Sequence, residues 1–279
     1  MKILKTPTEA QEWARSIHER SKTIAVVPTM GYLHDGHLSL VDRAKKEADV
    51  VVLTLFVNPI QFCPGEDYAI YPRDHERDIA LCEKRGVDAM FIPEVSDMYA
   101  PDASILVNES SLSNHLCGKV RPGHFRGVCT VVSKLFNATM ADVAIFGQKD
   151  AQQVAIIRRM VRDLNFPIRI VTSPIVREPD GLAMSSRNTR LSPEERVNAL
   201  GLSRALREAL AKIAEGERDA GAVKELMRGV MEKSGLRVDY AEIVSNETLE
   251  NVETVSSGDL IALAAYSGAT RLIDNAVVP

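Results

Sequence analysis

Short apolar runs alternate with amphipathic segments along the first 176 residues of the chain. The clearest runs cover residues 23–27, 49–57 and 142–146, and the second is continuously apolar and rich in β-branched side chains. Runs of this kind are typical of parallel strands that helices cover on both faces. The pattern also predicts strands over 87–92, 104–107 and 167–172.

Between these runs, apolar residues recur at the spacing of helices packed on one face. The predicted helices cover residues 8–20, 38–48, 73–85, 127–138 and 151–164. Strands that alternate with helices form a mostly parallel sheet with helices on both sides. We therefore predict an α/β fold built on a Rossmann-like, doubly wound parallel sheet.

The pattern changes after about residue 176. Ser192-Pro193-Glu194-Glu195 has the form of a capping box and predicts a helix to about Ala214. A second helix is predicted from Asp219 to Gly235, and alternating segments that resemble antiparallel strands follow. These segments cover 237–244, 259–266 and 270–278. We predict two domains, a Rossmann-like domain over 1–176 and a smaller α+β domain over 177–279.

Composition narrows the class of protein. The chain has 279 residues, of which 45% are hydrophobic and 26% charged, as in soluble globular proteins. A net charge of −4 and the lack of long basic runs argue against a nucleic-acid partner. No apolar run approaches the roughly 20 residues that span a bilayer. No signal peptide or Cys-x-x-Cys pair is present, and we predict a cytoplasmic protein without a membrane partner.

One turn carries the strongest chemical signal. Residues Pro28–His37 follow the first long apolar run and precede a helix, and they contain His34 and His37. A helix start after a strand offers free backbone N–H groups to an anion. Taken alone, the histidines also fit a surface pair, or a metal site whose spacing differs from that of the zincins. The third alternative is a nucleotidyl-transfer site.

Three further segments are rich in polar residues; the first two lie at a strand end or a helix start, and the third follows the turn Pro179-Asp180-Gly181. They are Asn58–Gln61, Gly147–Gln153 and Met184–Arg187. Each also has a structural interpretation: a polar turn for the first, a helix cap by Asp150 and Gln153 for the second, and an exposed loop for the third. The basic loop Arg121–Gly127 either lines the entry of an anionic substrate or is a simple connection. Because most of these segments lie at one edge of the predicted sheet, a shared site is favoured.

These blocks, in this order, resemble those of the pantothenate synthetase (pantoate–β-alanine ligase) family. Its members belong to the HIGH-type nucleotidyltransferases, and the matching block here is His34-Asp35-Gly36-His37. The resemblance spans roughly residues 25–190 and departs from the family pattern at Tyr32 and Ala151. It implies a ligase in which ATP and D-pantoate form pantoyl adenylate and pyrophosphate. β-Alanine then attacks the adenylate to give pantothenate and AMP.

The resemblance also implies the site residues. Catalysis is assigned to His34, His37, Lys149 and Arg187. Pantoate is assigned to Gln61 and Gln153, and β-alanine to Gln61. ATP is assigned to Met30, Gly31, Tyr32, Leu33, His34, Asp35, Gly36, His37, Gly147, Gln148, Lys149, Asp150, Val176, Met184, Ser185, Ser186 and Arg187.

The family further implies Mg²⁺ with unknown protein ligands, a homodimer, and a mobile gate over residues 63–78. The residues themselves agree with this chemistry, since a charge-rich transition state needs cationic and N–H donors and no protein nucleophile is evident. Two alternatives stay open at this point. One is a nucleotidyltransferase that stops at the nucleotide-linked product, and the other is a non-catalytic nucleotide-binding module.

Overall fold

The computed structural model describes all residues from Met1 to Pro279. It contains a six-stranded parallel sheet with helices on both faces and a three-stranded antiparallel sheet. The strands are β1 Lys2–Leu4, β2 Ile24–Thr29, β3 Val50–Leu55, β4 Ala89–Phe91, β5 Val143–Gly147, β6 Arg169–Ser173, β7 Arg237–Val244, β8 Leu260–Ser267 and β9 Thr270–Val277. The helices are α1 Pro7–His18, α2 Asp35–Glu47, α3 His75–Arg85, α4 Val95–Met98, α5 Leu116–Val120, α6 His124–Thr139, α7 Ala151–Asp163, α8 Pro193–Ala214 and α9 Ala220–Lys233. Short 3-10 helices cover Pro59–Gln61, Leu112–Asn114, Gln148–Asp150 and Ser186–Arg190.

The order of the parallel strands creates a crevice. They lie in the order β1-β4-β3-β2-β5-β6, so the chain runs outward from β2 in both directions. The strand order reverses between β2 and β5, which are hydrogen-bonded neighbours. In open α/β sheets, ligands bind outside the carboxyl ends of the strands at such a switch point. The predicted doubly wound parallel sheet is therefore confirmed, and its switch point is where the site is to be sought.

The apolar strands are buried on both faces, as their sequences predict. In β3, Val50 and Val52 join a core cluster on one face, while Val51 and Leu53 join a second cluster on the other. Strands that helices cover on both faces need apolar residues at every position. Helices α1, α6 and α7 contribute to the first cluster, and α2 and α3 to the second.

The C-terminal part forms an α+β unit with its own sheet and its own core cluster. The strands lie in the order β7-β8-β9 and are antiparallel, and α8 and α9 pack on them to form a third core cluster. The predicted capping box is present at α8, where Ser192 and Glu195 satisfy each other's backbone amides. Residues of β8 also join the first cluster, so the two sheets share a packed boundary.

Several sequence predictions differ from the structure. The short edge strand β1, which pairs with β4, is not predicted because three residues carry too little pattern. The strand predicted over 104–107 is wrong: the segment is irregular and joins no sheet. Helices α4 and α5 are missed, and α6 begins at His124 rather than at Gly127. No helix has the length and apolar content needed to cross a membrane.

Candidate active site

The turn after β2 brings His34 and His37 side by side at the start of α2. His34 is the N-cap residue, and its Nδ1 accepts a hydrogen bond from the Gly36 amide at 3.1 Å. Nδ1 of His37 lies 3.4 Å from the His34 amide nitrogen, and the ring centroids are 4.0 Å apart. Since a backbone amide can only donate, each Nδ1 is an acceptor and each neutral ring carries its proton on Nε2. Both Nε2–H groups are therefore donors for an anionic ligand at the helix start.

Both histidines are neutral at pH 7. Burial lowers the pKa of His34 to about 4, and the positive charge of Lys149 lowers it further. Burial also holds the pKa of His37 well below its usual value, with His34 and Lys149 as additional causes. The histidines thus act as hydrogen-bond donors without charge, and the positive charge of the site comes from other residues.

A buried carboxylate on α3 holds the histidine turn from behind. Asp78 is fully buried, and its oxygens accept hydrogen bonds from the amides of Tyr32 at 2.7 Å and Leu33 at 2.8 Å. Burial raises the pKa of Asp78, and the two amide hydrogen bonds oppose that rise. Gly31 has a φ of +84°, and a Cβ there would lie 3.1 Å from both Asp78 Oδ2 and the Leu55 side chain. Only glycine fits this turn without strain.

The turn after β5 supplies a lysine, a carboxylate and an amide. Lys149, Asp150 and Gln153 line the cavity in front of the histidine turn. The helix cap considered for Asp150 and Gln153 is not formed: Asp150 is the N-cap residue of α7, but no side chain caps the helix. The Gln153 amide is therefore not engaged in capping and is available to a ligand.

Gln148 differs from its neighbours in this turn. Its side-chain amide donates to Asn275 Oδ1 on β9 at 3.1 Å. Asn275 in turn donates to the carbonyl oxygens of Gln148 and Lys149 at 3.0 and 2.9 Å. These bonds fasten the turn to the antiparallel sheet. The structure thus does not bring the Gln148 side chain together with the other predicted ATP-binding side chains.

The loop Met184–Arg187 forms the wall opposite the β5 turn. All four of its residues line the same cavity as the histidines. Ser185 Oγ accepts from the Arg187 amide at 3.2 Å, and Ser186 Oγ donates to the Tyr32 carbonyl oxygen at 3.2 Å. The second bond ties this loop to the histidine turn, so both walls are held in one arrangement.

Arg187 is paired with an acidic residue from the segment after Phe62. Its Nε and Nη2 atoms each lie 3.0 Å from a carboxylate oxygen of Asp67. Arg190 donates to the same carboxylate at 2.8 Å. Burial opposes the charged form of Arg187, but hydrogen bonds and charge from Asp67 outweigh it and raise the pKa of Arg187. The guanidinium is therefore charged and already bound to an anion.

A second compartment lies around Gln61, after β3. Gln61 is buried, its Oε1 accepts from Asn58 Nδ2 at 3.1 Å, and its Nε2 lies 3.2 Å from Met30 Sδ. Asn58 is held in turn by the Tyr99 hydroxyl at 2.8 Å. Gly127 packs against the Gln61 backbone so closely that a Cβ would lie 2.6 Å from the Gln61 Cα. The Gln61 side chain is thus fixed from several sides.

Arg121 and His124 complete this second compartment. The Arg121 guanidinium donates to His124 Nε2 at 2.9 Å, so the His124 proton is on Nδ1, which donates to the Gln61 carbonyl oxygen at 2.7 Å. Burial lowers the pKa of His124 to about 4, and the Arg121 charge lowers it further. Arg121 also binds both carboxylate oxygens of Glu66, at 2.6 and 2.7 Å. The basic loop from Arg121 is therefore part of the site.

The two compartments form one cleft with a third cavity beside them. All three cavities share Asp150, Gln153 and Arg187 in their linings. The cavity at the histidines is open to solvent and has a volume of about 180 Å³. Among the predicted residues, those lining it are Met30, His34, Gly36, His37, Gly147, Lys149, Asp150, Gln153, Val176, Met184, Ser185, Ser186 and Arg187. Gln61 lines the adjoining compartment together with Met30, His37 and Gln153.

Five predicted residues do not line the cleft. They are Gly31, Tyr32, Leu33, Asp35 and Gln148. Leu33 is fully buried in the core, and Tyr32 lies under the guanidinium of Arg77. These residues shape the turn and do not present side chains to the cleft.

The residues near the cleft do not form a metal cage. No group of three or more His, Cys, Asp or Glu side chains is arranged to hold one ion. Asp150 is the one acidic side chain that lines the cavity at the histidines. Magnesium commonly binds one or two carboxylates together with substrate phosphates and water. The donor set therefore fits a Mg²⁺ ion that arrives with a phosphate ligand.

Sequence reasoning misses several residues of the site. Asp78 lies on an amphipathic helix, and its distance along the chain from the histidine turn hides their contact. Glu66 and Asp67 lie in a segment whose polar sequence gives no spacing signal. Their pairing with Arg121 and Arg187 is visible only in three dimensions, although two adjacent acids before a helix are a weak hint.

Comparison with known proteins identifies the family of this chain. The family model described as pantoate-beta-alanine ligase matches residues 2–277. Pantothenate synthetase of Thermotoga petrophila is 55% identical over 279 residues, with full coverage of both chains, and that of Geobacter sulfurreducens is 50% identical with 100% and 99% coverage.

Solved structures of the same family share the fold. Pantothenate synthetase from Thermus thermophilus is 44% identical, with a TM-score of 0.94 and coverage of 100% of this chain and 99% of that one. Pantoate-beta-alanine ligase from Francisella tularensis, described in complex with beta-gamma ATP and beta-alanine, is 33% identical with a TM-score of 0.84 and coverage of 99% and 97%. The chain thus belongs to the pantoate–β-alanine ligase (pantothenate synthetase) family, whose enzymes join pantoate and β-alanine to form pantothenate.

Proposed function

We propose that this ligase activates pantoate with ATP and forms pantothenate in two steps. In the first step, a pantoate carboxylate oxygen attacks the α-phosphorus of ATP, and the bond to the β-phosphate oxygen breaks to release pyrophosphate. In the second step, the amine of β-alanine attacks the acyl carbon of pantoyl adenylate. The C–N bond forms, the bond to AMP breaks and the nitrogen loses a proton.

One observation carries this proposal. The cavity that holds two neutral imidazoles and Lys149 opens into the amide-lined compartment of Gln61, with Gln153 in both linings. A triphosphate and a small hydroxy acid can therefore meet at one point. The Francisella relative, described in complex with beta-gamma ATP and beta-alanine, supports the proposal that this chain binds the same substrates.

We carry the residue roles over from the family resemblance, and the position of most of these residues around one cleft supports them. His34, His37, Lys149 and Arg187 stabilise negative charge on the phosphates as the α-phosphorus is attacked. Gln61 and Gln153 bind pantoate, and Gln61 also contacts β-alanine. ATP contacts the residues of the histidine turn and the β5 turn that line the cavity, together with Val176 and the loop from Met184 to Arg187. In the two turns these residues are Met30, His34, Gly36, His37, Gly147, Lys149 and Asp150.

The wider assembly follows the family. Asp150 would hold a Mg²⁺ ion together with the ATP phosphates, and the ion would neutralise part of their charge. Of the segment 63–78, the residues before α3 act as the moving gate, because Asp78 is fixed behind the histidine turn. Glu66 and Asp67 fix the closed position of the gate on Arg121 and Arg187. The enzyme works as a homodimer in the cytoplasm, and its chain divides into domains near residue 176.

An omission assay tests the function. Each of ATP, pantoate and β-alanine is left out in turn, and pyrophosphate, AMP and pantothenate are measured. We expect a single turnover of pyrophosphate from ATP and pantoate without β-alanine, and pantothenate only when all three are present. A pyrophosphate burst that requires β-alanine would contradict the two-step order. Indifference of steady turnover to β-alanine would favour a plain nucleotidyltransferase, and no pyrophosphate at all would favour a binding module.

A further inference from the structure

Strand β9 of the antiparallel sheet carries two adjacent buried polar residues. Asp274 and Asn275 have exposed fractions of 2% and 5%. Successive side chains of a strand point to opposite faces of the sheet. Asp274 lies opposite Leu263 of the third core cluster, and Asn275 lies opposite Ala262 of the first cluster. The two polar side chains therefore leave β9 in opposite directions, with Asn275 on the face towards the parallel sheet.

Asn275 uses its whole side-chain amide on the β5 turn. Its Nδ2 donates to the carbonyl oxygens of Gln148 and Lys149 at 3.0 and 2.9 Å, and its Oδ1 accepts from Gln148 Nε2 at 3.1 Å. Both N–H groups of the amide are thus engaged. Neither the 3-10 helix Gln148–Asp150 nor α7 after it has a side-chain cap of its own. The position of the Lys149 backbone therefore depends on Asn275.

Asp274 fixes β9 to the opposite wall of the cleft. Its two carboxylate oxygens accept hydrogen bonds from Arg177 Nη1 and Nη2 at 2.7 and 3.0 Å. Arg177 follows Val176, whose carbonyl oxygen accepts from the Met184 amide at 3.0 Å. This last bond joins the Arg177 segment to the loop Met184–Arg187. One strand therefore holds both the turn that carries Lys149 and the wall that faces it.

Neither polar residue of β9 reaches the cavity at the histidines. Asp274 and Asn275 line the third cavity, whereas Lys149 and Val176 line the cavity at the histidines. An effect of the β9 residues on a bound nucleotide must therefore pass through the groups that they hold.

We propose that Asn275 is a positioning residue for adenylate formation. Its amide sets the place of Lys149 relative to the wall formed by Val176 and the loop Met184–Arg187, and Asp274 fixes β9 to that wall. The inference rests on the proposed role of Lys149 in stabilising phosphate charge. A displacement of about 1 Å in a reacting group can lower a rate by about 10²-fold, so a shift of the turn carries a large effect.

A double-mutant cycle separates positioning from general structure. Asn275→Leu has nearly the shape of the native side chain but forms none of its three hydrogen bonds. We expect single-turnover pyrophosphate release to fall by about 10- to 100-fold in this variant. In a Lys149→Ala background the same substitution should lower the rate by less than about twofold, because the group that Asn275 positions is gone.

Two further readings distinguish positioning from a structural defect. The KM for pantoate should stay at the wild-type value in Asn275→Leu, because Asn275 bonds to neither Gln61 nor Gln153. Asp239→Asn is the control, since it weakens another acid–arginine pair of the same sheet. Asp239 accepts from Arg271 on β9 at 2.8 and 3.0 Å, and neither residue bonds to a residue assigned to ATP. The control should release pyrophosphate at the wild-type rate.

The outcomes separate this inference from the function on which it rests. Release at the wild-type rate in Asn275→Leu would overturn the inference, and so would an equal fall in both backgrounds. If circular dichroism shows that this variant does not fold, Asn275→Ala in the same two backgrounds takes its place. A wild-type rate in Lys149→Ala would refute the role of Lys149 and this inference with it. Absence of pyrophosphate release from the wild type would refute the proposed function itself.

Discussion

At the scale of single residues, the two histidines are assigned as uncharged donors. Replacing His37 by alanine removes one donor from the place where phosphate charge develops. We expect adenylate formation to fall by about 10²- to 10³-fold, the usual loss for one transition-state donor. Single-turnover pyrophosphate release is the measurement. His18→Ala is the control, because His18 pairs with Asp142 at the amino-terminal edge of the same sheet. Pyrophosphate release at the wild-type rate in His37→Ala would refute the assignment.

Substitutions of two adjacent glutamines on α7 should affect pantoate binding and protein stability separately. Gln153 lines both compartments and forms no helix cap, so Gln153→Ala should raise the KM for pantoate and leave Tm unchanged. Gln152 is buried and bonds to the Cys117 amide and to the carbonyls of Leu112 and His115.

The matched variant Gln152→Ala should therefore do the opposite. Unsatisfied backbone groups should cost about 1–3 kcal/mol of unfolding free energy, with little change in KM for pantoate. Steady-state kinetics and thermal unfolding of the two variants check the pair. A drop in Tm without a kinetic effect in Gln153→Ala would show that Gln153 is structural after all.

At the scale of elements, the sequence predicts what local pattern determines. The strands β2 and β3 are found because burial on both faces makes nearly every residue apolar. The edge strand β1 escapes prediction because its three residues pair with β4, far along the chain. The segment 104–107 shows the opposite failure, since its residues are typical of a strand but pair with no other strand.

The difference between local pattern and long-range contact also explains which residues of the site the sequence predicts. The histidine turn and the β5 turn follow strands whose ends meet at the switch point, so topology alone brings them together. Asp78, Glu66 and Asp67 reach the site through packing between distant elements, which no local spacing encodes. The roles assigned to the predicted site residues remain predictions until they are tested.

The gate segment is held by two acid–arginine pairs at the cleft. Asp67→Asn weakens the contact with Arg187 and Arg190, so the closed position should be populated less. The adenylate would then meet water more often, and AMP formed per pantothenate should rise several-fold. Asp163→Asn, which disrupts the exposed pair with Arg162 on α7, serves as the control. An unchanged product ratio in Asp67→Asn would argue against the gate.

At the scale of the whole molecule, three buried neutral histidines link folding to pH. Burial lowers the pKa of His34 and of His124 to about 4 and that of His37 well below its usual value. The unfolded chain titrates near pH 6.5 and therefore binds more protons than the folded chain below that pH. Their contribution to stability is thus present above about pH 6.5 and is lost as the pH falls towards 4.

The expected size of this effect is large enough to measure. His34 and His124 should each contribute about 1.4 kcal/mol per pH unit to the slope of unfolding free energy between pH 6.5 and 4. His34→Gln and His124→Asn each keep a polar side chain but remove one titrating group. Each should therefore lower the slope of unfolding free energy against pH by the contribution of one proton, about 1.4 kcal/mol per pH unit. Urea unfolding at a series of pH values checks this. A slope equal to the wild type in His34→Gln would mean that the His34 ring becomes protonated in the folded enzyme as readily as in the unfolded chain, and the neutral-donor assignment of the histidine turn would fail. The same result in His124→Asn would refute only the neutral state of His124.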